Sequence, residues 1–347
     1  MSEKDCNYVS SRGILKSCDV YKDPPVSSNP DLPDLDKIQE NSTVYICTTA
    51  IPNLVKNMDK IKHRFVLVSG DADEEVFEQV FELEEDFITF IENDKIVHWF
   101  AQNCVAVHKK ITNLPIGLDY HTLASKTNSW GEKKSPPEQE KQLIELKRAA
   151  KPFDQREKKC YINFSAPPSS YYYNYDRIDA LKDIPESLCI KEKDGEIRHT
   201  CWKNQTEYAF VVSPFGNGMD CHRTWEALAL GCIPIVRSSG MDPMFEGLPV
   251  LIVDNWSEVT SELLDDTVVQ FKNMNFNYDK LKLQYWTDKI NSYKRQENFI
   301  ERPTYKPLNF YDWLFYSLII VILILIAYLF IKNYKQLSFK NIKKAFL

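Results

Sequence analysis

The chain has 347 residues and a mass of 40.5 kDa, enough for two domains of ordinary size and too much for one compact core. Hydrophobic residues at 44%, charged residues at 27% and only 10 glycines exclude collagen-like, low-complexity and wholly disordered classes. The formal charge is −6, and because residues 332–347 hold five lysines and no acid the rest of the chain carries −11, a poor match for nucleic acid, whose phosphates demand a basic face.

Residues 1–40 are polar and proline-rich (Pro24, Pro25, Pro30, Pro33) and read as an extended lead-in that contributes little core. An N-terminal α/β domain follows over 41–125. Its β-rich runs start at Val44 and Phe65, with a helix expected from Glu74 to about Glu85 and further alternation from Val97 to His121; such alternation predicts a parallel sheet covered by helices. Residues 126–158, dense in lysine, glutamate and proline, read as a linker with one charged helix. A second alternation fills 159–300. Strands are expected at Cys160, Leu188, Tyr208, Cys232 and Val250, and helices near Asp176, from His222 to Leu230, from Trp256 and from Asp279. Two such halves place a ligand in the cleft between them, at the carboxyl ends of the strands.

Beyond a juxtamembrane stretch, 301–312, the 19 residues 313–331 carry no charge. That is the length that crosses a hydrocarbon core of ~30 Å as a helix, so a single transmembrane helix is expected, followed by a basic tail at 332–347. Trp313 and Tyr316 sit at one rim and Tyr328 and Tyr334 near the other, where aromatic belts form. The first 30 residues hold no apolar run. A tail-anchored protein with its body in the cytosol is therefore expected, and the flanking lysines and arginines, four in 293–312 against five in the tail, do not reverse it. Nine cysteines without a C-x-x-C pair argue against structural zinc and fit buried free thiols in a reducing compartment.

The chemistry gathers between Ser213 and Leu228. A buried strand ends at Ser213, Gly216 and Gly218 allow close backbone approach, and a helix begins near Cys221 with Asp220 as its expected N-cap. Such a helix start is a socket for an anion. Arg223 adds a fork suited to a diphosphate, Glu226 on the same helical face suits ribose hydroxyls, and His222 suits a phosphate or sugar oxygen. In the N-terminal half Asp119 and His121 close a strand and are candidates for the general base. The Asp71-Ala72-Asp73 triplet has metal-binding spacing but reads as a strand-end turn; no metal ligand is assigned, although a divalent metal stays open. Motifs of serine hydrolases, zinc proteases and P-loop kinases are missing.

The run from Ser213 through Asp220, His222, Arg223, Glu226 and Gly231 to Pro234 resembles the nucleotide-sugar-binding signature of exostosin-type glycosyltransferases, in the form seen in ribitol xylosyltransferase-like members and related giant-virus proteins. The resemblance covers 208–256 and implies a GT-B fold. It further implies a nucleotide-sugar donor, a UDP-sugar favoured, held by the C-terminal half, and a glycan or glycoprotein acceptor on the N-terminal half. Arg223 would then neutralise the diphosphate and Glu226 engage the ribose. A membrane-anchored transferase is the expectation; the competing reading, an anchored interaction or virion-surface protein with a dead site, is opposed by the intact Asp220, His222, Arg223 and Glu226.

Overall fold

The computed structural model describes residues 2–164 and 173–294, which lie in one compact unit, Met1–Glu301. The expected membrane span at 313–331, its juxtamembrane stretch and the basic tail fall outside the described residues. Among the described residues no helix is long and apolar enough to cross a membrane.

The fold is α/β, with two separate parallel sheets. The N-terminal lobe runs α1 (Ser11–Leu15), β1 (Ser42–Cys47), α2 (Ile51–Lys56), β2 (Phe65–Gly70), α3 (Glu84–Ile91), β3 (Ile96–Ala101), β4 (Ile111–Asn113) and α4 (His121–Ser125). Its strands stand in sequence order, β1-β2-β3-β4, all parallel. β2 shows why. Every residue of Phe65–Gly70 is buried; Val66 and Val68 face one core while Phe65 and Leu67 face another, so its unbroken apolar run serves a sheet covered on both sides.

After α5 (Pro136–Ala149) the C-terminal lobe runs β5 (Glu157–Ile162), α6 (Asn174–Asp183), β6 (Cys189–Lys191), α7 (Arg198–Gln205), β7 (Tyr208–Val212), α8 (His222–Leu230), β8 (Ile233–Arg237), α9 (Asp242–Phe245), β9 (Leu251–Val253), α10 (Ser261–Lys272) and α11 (Leu283–Lys294). The strand order is β6-β5-β7-β8-β9. The chain moves outward from β5 to β6 and then returns to the other side of β5 as β7, so the connections leave β5 and β7 in opposite directions. That reversal is a topological switch point, and it is at the carboxyl ends of the strands flanking such a point, here β5 and β7, that ligands of open α/β sheets bind.

Several expectations are corrected. Residues 2–40 are no detached lead-in: Cys6, Val9, Ile14, Leu15, Cys18, Val20 and Ile38 are buried, and Val20 bridges to Val44 alongside β1. Prolines mark only the stretch between these anchors. The helix expected from Glu74 starts ten residues later, at Glu84, because Val76 is held by a bridge to Cys104 and a 2.9 Å bond from its N–H to Asn103 O. Trp256 opens only a short 3-10 turn, and the helix proper is α10. The segment read as a linker holds a packed helix: Leu143, Gln139 and Glu140 of α5 are buried, and Glu140 accepts the N–H groups of Asn7 and Tyr8 at 3.0 and 2.7 Å. Last, α11 leaves the C-terminal lobe and packs on β1, β2 and β3. There the Tyr293 ring stacks on His98 at 4.0 Å and Lys294 meets Asp19 at 2.7 Å. One core therefore joins Val66, Val68 and Phe100 of the first lobe to Trp225, Trp286 and Ile290. All nine cysteines are free.

Ile14, fully buried in that shared core, tests the role of the N-terminal residues. Ile14→Ala should cost about 2–5 kcal/mol in urea unfolding; a loss under about 1 kcal/mol would mean that this segment is peripheral after all.

Candidate functional site

The loop that follows β7 is tied down on several sides. Ser213, directly after β7, donates its N–H to Ile235 O at 2.8 Å, and its hydroxyl lies 2.8 Å from that of Thr224 in the first turn of α8. Asp176 of α6, with no exposure at all, accepts the Phe215 N–H at 2.8 Å and the Trp256 indole N–H at 2.7 Å. The Gly216 N–H closes onto Gly218 O at 2.9 Å. Gly218 must be glycine, since a Cβ there would stand 2.7 Å from the Asn103 amide and 2.9 Å from Asp73 O, both in the other lobe. α8 ends at Gly231, whose φ of 74° is the left-handed cap that glycine adopts without strain.

The start of α8 departs from expectation. Its N-cap is Cys221, in extended conformation and with no side-chain cap bond. Asp220 is turned elsewhere: its carboxylate accepts the Trp225 indole N–H at 2.9 Å and, across the lobe boundary, the Ile116 N–H at 2.7 Å. Burial raises its pKa to about 6. Asp220 thus ties the lobes together, and the first amides of α8 are left without a side-chain acceptor.

Arg223 stands beside those amides. Its guanidinium lies 4.9 Å from the centre of the Phe164 ring and donates to Pro214 O at 3.1 Å. Arg177 approaches the same ring at 5.9 Å and donates to Phe215 O at 3.1 Å. Neither guanidinium is in an ion pair among the described residues, whereas nearby Arg237 is shared by Asp176 and Asp179 at 3.4 and 3.5 Å. Burial lowers the Arg223 pKa, and an anion held between the two arginines would offset that cost.

A second cluster lies where the lobes meet. Arg198, at the start of α7, is buried; it donates to Asp119 Oδ2 at 2.9 Å and to the Asp119 carbonyl. Its Nε stands 3.7 Å from Glu226 Oε1. Trp130 and Trp202 face the guanidinium at 4.7 and 5.6 Å. Asp119 Oδ1 takes the Thr122 N–H at 3.0 Å and lies 3.1 Å from His121 Nδ1. Burial opposes ionisation of Asp119, but the charges of His222, Arg198 and His121 outweigh it and hold the carboxyl well below the usual range. His121 is shifted down, first by burial, against the pull of Asp119. A neutral imidazole whose Nδ1 faces a carboxylate keeps Nε2 as its basic atom. His222 donates Nδ1–H to Gly117 O at 2.7 Å, and its ring centre lies 6.2 Å from that of His121.

The structure therefore joins Asp119 and Glu226 through Arg198, sets His121 beside Asp119 and His222 beside His121, and places Arg223 with Gly216 and Ser213 at the carboxyl end of β7. Glu226 faces the Arg198 cation through Oε1. Asp71 sits in a turn after β2, 3.5 Å from Arg12 Nε, and Asp73 bonds with Asn217. No group of three or more metal-ligating side chains occurs among the described residues. Sequence reasoning missed Arg198, Arg177 and Asp176, which belong to helices whose patterns are ordinary; only the fold brings them to the site.

No protein-family profile matches the chain, and no curated protein matches it in sequence. Among solved structures, an α1,3-fucosyltransferase with GDP-fucose aligns at 10% identity with a TM-score of 0.38, covering 83% of this chain and 96% of that one. A second α1,3-fucosyltransferase structure aligns at 12% identity and a TM-score of 0.36, covering 78% and 82%.

Asp119 sets an acid limb of stability. Its folded pKa is depressed, so its contribution is complete above the unfolded value of about 3.9 and is lost as pH falls below it. Urea unfolding at about pH 5 and about pH 3 should show a smaller stability drop for Asp119→Asn than for the parent, and equal drops would remove Asp119 from the ionised cluster.

Proposed function

We propose that this chain is a nucleotide-sugar-dependent glycosyltransferase of GT-B architecture and exostosin type, which moves a sugar to a hydroxyl of a glycan or glycoprotein. The observation that carries the reading is the pair Arg177 and Arg223 at the carboxyl ends of β5 and β7, neither within ion-pair distance of a carboxylate among the described residues. Residue 222, next in sequence to Arg223, brings its ring within 6.2 Å of His121. The first turn of α8 thus carries one arm of the arginine pair and, one residue earlier, the ring that neighbours the candidate base.

In this reading the diphosphate of the donor, a UDP-sugar, lies between Arg223 and Arg177 and accepts from the His222 and Arg223 amides, which no side chain caps. The acceptor hydroxyl gives its proton to His121 Nε2 as its oxygen bonds to the anomeric carbon. The bond from that carbon to the diphosphate breaks, its electron pair leaves with the diphosphate, and the two guanidinium groups meet the charge that develops. Asp119 holds His121 in the required tautomer and stabilises the imidazolium that forms. Glu226 reaches the ribose through its second oxygen while the first stays with Arg198. The uncharged stretch 313–331 tethers the enzyme to a bilayer, with the catalytic part on the cytosolic side, where nucleotide sugars are made.

Calorimetry on the full chain with UDP, GDP and CMP tests the socket: Arg223→Ala should lose detectable nucleotide binding while circular dichroism stays as in the parent. His121→Asn should retain nucleotide affinity and lose transfer by about 100-fold or more. Because the His121 pKa is lowered, the acid limb of the transfer rate should lie below the ordinary histidine value of about 6.5. Unchanged nucleotide affinity in Arg223→Ala, or full transfer by His121→Asn, refutes the corresponding assignment.

A further inference from the structure

The hairpin that follows α4 presents a large aromatic surface with no role in the chemistry above. Asn128 and Gly131 bond to each other through both backbone pairs at 3.1 Å, and Asn128 Oδ1 accepts the Trp130 N–H at 2.8 Å. The turn is fixed to its surroundings on both sides. Lys134 N–H returns to Leu123 O of α4 at 3.1 Å, and Trp130 O accepts the Arg198 N–H at 2.9 Å. Trp130 is 47% exposed and Ile197, one residue before Arg198, is 46% exposed. The other large side chain on Arg198, Trp202, is buried.

Trp130 is thus held on one side by Arg198 and remains nearly half exposed. Its inner face rests on the Arg198 guanidinium at 4.7 Å. That same guanidinium holds Asp119, and Asp119 Oδ1 lies 3.1 Å from His121 Nδ1. The hairpin also packs on α4, the helix that His121 opens. One rigid set of contacts therefore fixes the aromatic plane relative to the candidate base. A pyranose has one face of axial C–H groups, which stacks on an indole, and an equatorial rim of hydroxyls, which stays free to react or to bond. Large, rigid aromatic surface of this kind is the usual anchor at a binding site because little side-chain freedom is lost on contact.

Resting on the transferase reading above, we propose that Trp130, flanked by Ile197, is the platform on which a sugar ring of the acceptor glycan stacks, so that a hydroxyl of that glycan reaches His121 Nε2. The donor is held from the α8 side of His121 and the acceptor from the α4 hairpin side. Recognition is by the ring's C–H face, which needs no charge on the acceptor and tolerates variation in its hydroxyl rim.

Saturation-transfer NMR on the full chain in detergent, with lactose, chitotriose and xylotriose as probes, tests the platform. At least one probe should bind, with transfer strongest to the C–H groups of one ring face. Its affinity should fall about tenfold or more in Trp130→Ala and stay within about threefold in Trp130→Phe, which keeps a stacking surface. Nucleotide affinity, measured in parallel, should stay within about twofold of the parent in both variants. A parent chain that binds none of the three sugars, or a Trp130→Ala variant that binds them as the parent does, overturns the platform. Sugar binding without any nucleotide binding would instead overturn the transferase reading and leave the platform standing.

Discussion

A guanidinium taken out of water must be matched by carboxylates and by hydrogen bonds to its fork, or the structure that buries it is lost. Arg198 meets that demand with groups from several parts of the chain: Asp119 from the N-terminal lobe, Gln139 from α5 and Glu226 from α8. None of these elements can move independently without leaving a buried charge exposed to its own desolvation cost. Two tryptophans close the remaining faces. The arrangement of the lobes is therefore fixed at the place where the chemistry is assigned. The tie continues outward through Asp220 to Ile116, Asn103 to the Asp220 N–H, and Tyr173 to Glu75.

The sequence carried the sheets and the glycine-rich loop because those features are local. An apolar run such as Phe65–Gly70 has few alternatives to a strand buried on both faces. The helix from His222 to Leu230 is bounded by a polar start and a left-handed glycine, and its limits were legible to the residue. Asp119 and His121 were picked out as polar residues closing a strand, but β4 already ends at Asn113, Asp119 lies in the loop after it and His121 opens α4. Arg198 was not picked out. It lies in a helix with no marked apolar face, and nothing within a helix length of it signals that Asp119, 79 residues earlier, will be its partner. Arg177 and Asp176 share that difficulty. Asp220 was misread for a related reason: an acid before a helix is the commonest local signal of a cap, and only the arrival of Ile116 from the other lobe gives its carboxylate a better donor.

The N-terminal forty residues show the same limit from another side. Their prolines and polar residues point to extended chain, which local propensity alone cannot correct. Burial of Ile14, Leu15 and Val20 depends on a surface assembled from β1, β2 and the returning helix α11, and α11 begins more than 260 residues further on. Apolar residues scattered through a polar segment become core when a distant element supplies the other half of the contact.

The acidity of the chain and the cationic arginine pair are consistent with each other once range is considered. A body of −11 repels a long polyanion along its whole length, while interactions between exposed charges fade beyond a Debye length of about 8 Å at physiological salt. Arg177 and Arg223 act at hydrogen-bond distance and from partial burial, where screening is weak, and both are backed by the carbonyls of Pro214 and Phe215. A compact anion that fits between them gains nearly all of its attraction at contact and meets little of the repulsion that a polymer would accumulate. In the proposed reading, selection of a small diphosphate over a nucleic acid thus needs no dedicated barrier, because a short-range cationic pair in an acidic chain discriminates by length.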